Sequence, residues 1–157
     1  MTLDVDRRSA EKRFRRVFAH LGAIAAYAQR RGSSDADALA ADVMTVAWRR
    51  LADVPSGDPR PWLYATARNL LLAEARLSAR ATHTSVRDSE QVAPEPHELD
   101  PELSRALGSL SPRDRDALLL VAWEDLTPSA AAKALGINPV AFRVRLLRAR
   151  ARCSPRT

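Results

Sequence analysis

Leu126-Thr127-Pro128-Ser129-Ala130-Ala131-Ala132-Lys133-Ala134-Leu135-Gly136-Ile137-Asn138-Pro139-Val140-Ala141-Phe142-Arg143-Val144-Arg145-Leu146-Leu147-Arg148-Ala149-Arg150 is the stretch on which the reading of this chain turns. Thr127 can accept a hydrogen bond from the first unpaired backbone N–H groups of a helix, and Pro128 fills a first helical position that needs no donor. Ala131, Ala132 and Leu135 then make a narrow apolar stripe. Gly136 supplies the permissive backbone of a tight turn, and Asn138 with Pro139 repeats the cap-and-proline start for a second helix. On that helix Phe142, Leu146 and Ala149 recur at the i, i+4, i+7 spacing of a buried face. Val140, Arg143, Val144, Leu147 and Arg148 lie largely on other faces. Arginine offers paired donors to guanine edges and phosphates, and a small apolar side chain can meet a thymine methyl. A basic helix alone reads more readily as an ordinary amphipathic helix with a solvated face. The capped, Gly-turned helix in front of it favours a helix-turn-helix whose second helix enters a DNA groove.

Composition bounds what surrounds this motif. The chain has 157 residues, 46% of them hydrophobic, which suffices for one domain or two small helical cores, while few aromatics and five glycines argue against an all-β fold. A formal charge of +6 favours a polyanionic partner, although an Arg-rich composition alone would also produce it. Cys153 is the only cysteine, which excludes an intrachain disulfide and a cysteine-built zinc site. His20, His83 and His97 lack metal-ligand spacing, so neither metal nor cofactor is expected. No stretch reaches the ~20 apolar residues of a membrane span, and the N-terminus lacks a signal-peptide core. A cytoplasmic location without membrane insertion is therefore expected. Catalysis finds no support: no carboxylate pair, Ser/His/Asp set or glycine-rich phosphate loop presents itself.

Upstream, Asp6 to Arg31 reads as one long helix, because Phe14, Val17, Phe18, Leu21, Ile24 and Ala28 follow a 3.6-residue period and Gly32 ends it. Ser34 and Asp37 have the spacing of a capping box for a second helix through Leu51, with Leu39, Val43, Val46 and Ala47 as core stripe and Trp48 closing one end. Asp53 to Pro59 is a turn-rich loop. A third helix follows from Pro61 to about Ala79. On its wheel Leu63, Ala67, Leu70 and Leu77 form the core face, while Trp62, Thr66, Asn69, Ala73, Arg76 and Arg80 gather opposite within roughly 80° of arc. An aromatic beside cations suits the stacking of unpaired bases, and packing of Trp62 against the second helix is the equal alternative. From Ala81 to Leu99 apolar periodicity disappears, which predicts a flexible linker. About 18 such residues reach roughly 60 Å when extended. Asp100-Pro101 and Ser111-Pro112 then start two more helices, ending at Gly108 and about Glu124, with Leu103, Leu107, Leu118, Val121 and Ala122 expected beneath the helix-turn-helix. The expected fold is thus all-α: a helical domain over residues 6–80, a linker over 81–99 and a four-helix domain over 100–153 containing the helix-turn-helix.

In this order the segments resemble the extracytoplasmic-function group of bacterial RNA polymerase sigma factors, within the sigma-70 family, over nearly the whole chain. The run from Ala36 to Trp48 looks like that group's core-binding helix. Pro61-Trp62-Leu63-Tyr64-Ala65-Thr66-Ala67-Arg68-Asn69-Leu70 looks like its promoter-melting segment, where Trp-Leu and Ala-Arg-Asn recur. Leu107 through Arg150 is similar to its second conserved domain, with Leu-Ser-Pro-Arg before the long helix and Leu-Gly-Ile before the recognition helix.

The resemblance implies an alternative sigma factor that binds core RNA polymerase, directs it to specific promoters and helps open the DNA. Asp37, Leu39, Asp42 and Val43 would face the β′ clamp helices, and the second domain the β flap. Trp62 and Asn69 would lie near an extruded base of the upstream element, with Arg68, Arg76 and Arg80 on phosphates. Val140, Arg143, Val144 and Arg148 would read a farther duplex element, with Arg145 as a backbone-contact or packing residue. An anti-sigma factor is a common further partner in the group. Where the family usually carries an acid and a glutamine in the core-binding helix this chain has Ala38 and Ala41, and Ala73 replaces a common acid in the melting helix. The competing expectations are a helix-turn-helix regulator that never joins polymerase, and a helical protein-interaction module.

Overall fold

A computed structural model describes residues 2–82 and 100–154, and among these every regular element is helical. They fall into two compact units, one built from the first four helices and one from the last four.

In the N-terminal unit α1 (Thr2–Phe18), α2 (Leu21–Arg30), α3 (Ala36–Arg49) and α4 (Arg60–Thr82) surround a core whose fully buried members include Ile24, Tyr27, Val43, Val54 and Leu63. The single long helix expected over Asp6 to Arg31 is in fact two. At Ala19 and His20 the ladder tightens, the His20 N–H reaching back three residues to the Val17 carbonyl at 3.0 Å before the Ile24 N–H restarts the helix on the His20 carbonyl at 3.0 Å. Hydrophobic period survives such a bend, so the sequence pattern does not register it. The bend lets α2 pack on both α3 and α4, and it leaves Phe18 48% exposed.

The cap of α3 also differs from expectation. Asp35, not Ser34, is its N-cap, accepting from the Ala38 N–H at 2.9 Å. Leu39, Ala40, Val43, Met44 and Ala47 form the buried stripe, and Val46 is only half-buried. On α4, Leu63 and Ala67 are buried as expected, but Leu77 is 66% exposed. Residues 75–81 of this 23-residue helix are all exposed, because the ten-residue α2 and 14-residue α3 are too short to cover its last turns. Ala81 and Thr82 still belong to α4 rather than to a linker; the rest of that expected linker, residues 83–99, lies outside the described residues.

The C-terminal unit contains α5 (Pro101–Gly108), α6 (Pro112–Ala122), α7 (Pro128–Leu135) and α8 (Pro139–Cys153). Each begins with proline behind a capping side chain: Asp100 accepts from the Glu102 N–H, Ser111 from Asp114, Thr127 from Ala130 and Asn138 from Val140. Each such cap stabilises its helix by about 1 kcal/mol. Gly136 ends α7 in the left-handed region at φ 64°, and the Ile137 N–H closes back on the Ala132 carbonyl at 3.1 Å. That geometry turns the chain sharply into α8. Phe142, Leu146 and Ala149 are buried, as their spacing requires. On α6, however, Ala117 and Leu120 are the buried pair, while Leu118 and Val121 are half-buried and Ala122 is exposed. The run from Ala117 to Ala122 is apolar throughout and carries no period. Only the positions of α7 and α8, both packed against α6, decide which side faces inward.

Candidate nucleic-acid and polymerase interfaces

Burial of Phe142, Leu146 and Ala149 turns the opposite side of α8 outward. Val140 is 67% exposed and Val144 44%; Arg143, Arg148, Arg150 and Arg152 are exposed as well. The helix holds no acidic residue. Arg145 stands apart: its side chain is 28% exposed and its Nε lies 3.7 Å from Asp114 Oδ1 on α6. Its charge is thus partly spent on holding α8 to α6, in keeping with a packing role.

On α4, the expected stripe is on the surface. Trp62 is half-buried at its head, and Asn69, Ala73, Arg76 and Arg80 are exposed below it. Thr66, between them, turns its hydroxyl back on the Trp62 carbonyl at 2.9 Å. Arg68 does not join this stripe. It is half-buried and projects about 80–160° round the helix from the members of the stripe, so it and the other arginines do not share one face.

The four residues expected to meet polymerase divide in two. Asp37 and Asp42 are exposed, whereas Leu39 is 6% and Val43 0% exposed. The two aliphatic side chains therefore belong to the core, and the two carboxylates lie on the outward side of the same helix. Ala38, Ala41, Thr45 and Trp48 continue the exposed face of α3. Trp48 meets Phe14 of α1 edge-on, with ring centroids 5.1 Å apart.

Two features were not anticipated from the sequence. The first is Glu74, which falls on the same arc of α4 as Leu63, Ala67 and Leu70. Its Oε1 accepts from the Ser34 N–H at 2.6 Å and the Ser34 hydroxyl at 2.5 Å, and its Oε2 from the Ser33 hydroxyl at 3.0 Å. A carboxylate on a core-facing arc was the available signal. Desolvation pushes this carboxyl up, but the Ser34 and Ser33 donors outweigh it and hold it below its ordinary 4.5. A depressed folded value means that the stabilisation is full above pH 4.5 and is lost as pH falls through the folded value. Glu74→Gln is accordingly expected to flatten the acid loss of stability of the N-terminal unit, measured by chemical unfolding from about pH 6 to about pH 3. Parallel curves for the two proteins would contradict the tie.

The second is a cleft of about 410 Å³ between α1 and the Asp53–Pro59 loop. Lys12, Arg13, Arg16 and His20 line one side, and Pro55 and Ser56 the other. The Arg13 guanidinium donates to the Val54 carbonyl and anchors the loop to α1. At the loop's end the Arg60 side chain bonds both oxygens of Asp58, at 2.9 and 3.0 Å, and holds that carboxyl below its ordinary 3.8. Loop and α1 thus form one surface beside the start of α4.

Among the described residues no helix is long and apolar enough to cross a membrane. Residues 101–153 match the family model "Sigma-70, region 4", which spans α5 to α8. Across both units the chain is similar to CnrH, solved in complex with the cytosolic domain of CnrY, with 26% identity over 94% of this chain and 86% of that one and a TM-score of 0.58. It shares a fold with the sigma factor RpoE, solved with the anti-sigma factor NepR from Bartonella quintana, at 24% identity over 88% of this chain and 92% of that one and a TM-score of 0.67. No curated protein matches. The C-terminal unit is thus a sigma-70 region 4 domain, and over both units the chain is similar to solved sigma factors of the extracytoplasmic-function group, which supports an alternative sigma factor that directs RNA polymerase to promoters.

Proposed function

We propose that the two units divide the work of promoter recognition. The C-terminal unit, residues 100–153, reads the distal element as duplex through Val140, Arg143, Val144 and Arg148, and it docks on the polymerase β flap. Arg145 braces α8 against α6. The N-terminal unit, residues 6–80, docks on the β′ clamp helices through the face of α3 that carries Asp37 and Asp42, with Leu39 and Val43 beneath. Trp62 and Asn69 hold an extruded base of the upstream element, while Arg76 and Arg80 follow its phosphates and Arg68 braces the helix from its half-buried flank. The polymerase performs the chemistry; this subunit supplies the address and the opening of the strands, in the cytoplasm, without catalysis or cofactor. The structural relatives were solved in complex with the anti-sigma factor NepR and with the cytosolic domain of CnrY, which supports an anti-sigma partner for this chain as well.

The observation that carries this reading is the acid-free outward face of α8, with Arg143 and Arg148 exposed around a buried Phe142–Leu146–Ala149 stripe. A guanidinium bonded to a base edge discriminates at one position, by about 1–3 kcal/mol. Holoenzyme carrying Arg143→Ala should therefore lose preference at one base pair of the distal element in a binding selection and keep it elsewhere. An unchanged preference would contradict groove reading by this face. Binding of promoter duplex by the free chain, without association with its native core polymerase, would favour the regulator that acts alone.

A further inference from the structure

The outward face of α8 is not uniformly basic. Val140, Val144 and Leu147 fall within about 60° of arc and are 67%, 44% and 69% exposed. Arg143 and Arg150 flank this stripe on one side and Arg148 on the other. Three exposed aliphatic side chains in a row are costly in water and mark a contact surface. What covers them must also satisfy guanidiniums on both flanks with no carboxylate on the helix to compete. A major groove meets both demands: phosphates line its rims, and the thymine 5-methyl is the apolar group on its floor.

We infer that Val140, Val144 and Leu147 are specificity-determining residues that read thymine methyl groups in the distal element. The inference rests on the promoter-reading role proposed above and adds to it both Leu147 and the kind of base it meets. From Val140 to Leu147 the stripe rises seven residue steps, about 10.5 Å along the helix axis, which matches about three base-pair steps of 3.4 Å. The arginines hold the helix in register against the rims. The aliphatic stripe then rewards a methyl-bearing run over one without methyls.

Uracil in place of thymine removes the methyl and leaves every hydrogen-bonding group of the base intact. Holoenzyme formed from the full chain and its native core polymerase selects its best sequence from a pool of duplexes randomised over the distal element. That sequence is then synthesised with each thymine of the element replaced singly by deoxyuridine. At one or more positions binding should fall about fourfold, from ~0.8 kcal/mol for one buried methyl-sized group. In Val144→Ala or Leu147→Ala holoenzyme the penalty at one of those positions should vanish. Both substitutions leave the buried stripe of α8 untouched. A selected sequence indifferent to every replacement overturns the inference and leaves the promoter-reading role standing. If the same two variants instead weaken assembly with core polymerase, the stripe is a protein contact and the inference is equally overturned. Failure to enrich any sequence overturns the promoter-reading role and the inference with it.

Discussion

Phe142→Ala is expected to destabilise the C-terminal unit by about 3–5 kcal/mol, the range for removing a fully buried aromatic from a core that cannot collapse around the gap. Phe142 is 0% exposed and the largest fully buried side chain of its unit. Beside Leu110, Leu120, Leu126 and Leu146, the side chains buried there include Ala117, Ala131, Ala132, Ala134 and Ala149, and these five are too short to swing into the space. Since small domains are stable by only about 5–15 kcal/mol, the loss would leave the recognition helix partly unfolded. Amide hydrogen exchange on the full chain reads the result segment by segment: protection should fall across α5 to α8 and persist in α1 to α4, whose core is separate. A loss of less than about 1 kcal/mol would show that α8 is held by something other than this ring.

The second large effect is expected at Trp62. Stacking of a base on an aromatic ring is worth ~1–3 kcal/mol, so Trp62→Ala should reduce promoter opening by about 5–150-fold while leaving closed-complex formation nearly unchanged. Trp62 stands half-buried at the head of α4, with Asn69, Arg76 and Arg80 exposed behind it on the same side. Permanganate reactivity of unpaired thymines reports opening, and filter binding at low temperature reports the closed complex. Normal permanganate reactivity in the variant would assign the ring to packing instead. Equal losses in both measurements would do the same.

Much of the C-terminal unit was legible because its helix boundaries are written locally. Asp100, Ser111, Thr127 and Asn138 each precede a proline and each caps a helix, and Gly136 adopts the left-handed turn its position demands. Caps act within one turn of chain, so a sequence can display them. The bend at Ala19–His20, the exposure of Leu77 and the choice of Ala117 and Leu120 over Leu118 and Val121 depend on which neighbours a helix meets and where they stop. Periodicity carries no such information. The candidate surfaces followed the same division: the outward residues of α8 came from a clear buried stripe, whereas Arg68 was grouped by motif and lies on a different flank from Trp62. Glu74 binds a loop forty residues earlier in the chain, and only the folded unit brings the two together.

A subunit that gives RNA polymerase its promoter address must change where transcripts begin. Sequencing the 5′ ends of transcripts made from fragmented native DNA, with the native core enzyme alone and with the full chain added, tests it most directly. New start sites are expected only with the chain present, sharing two upstream sequence elements, the distal one altered by Arg143→Ala and the proximal one silenced by Trp62→Ala. Identical start sites with and without the chain would contradict it.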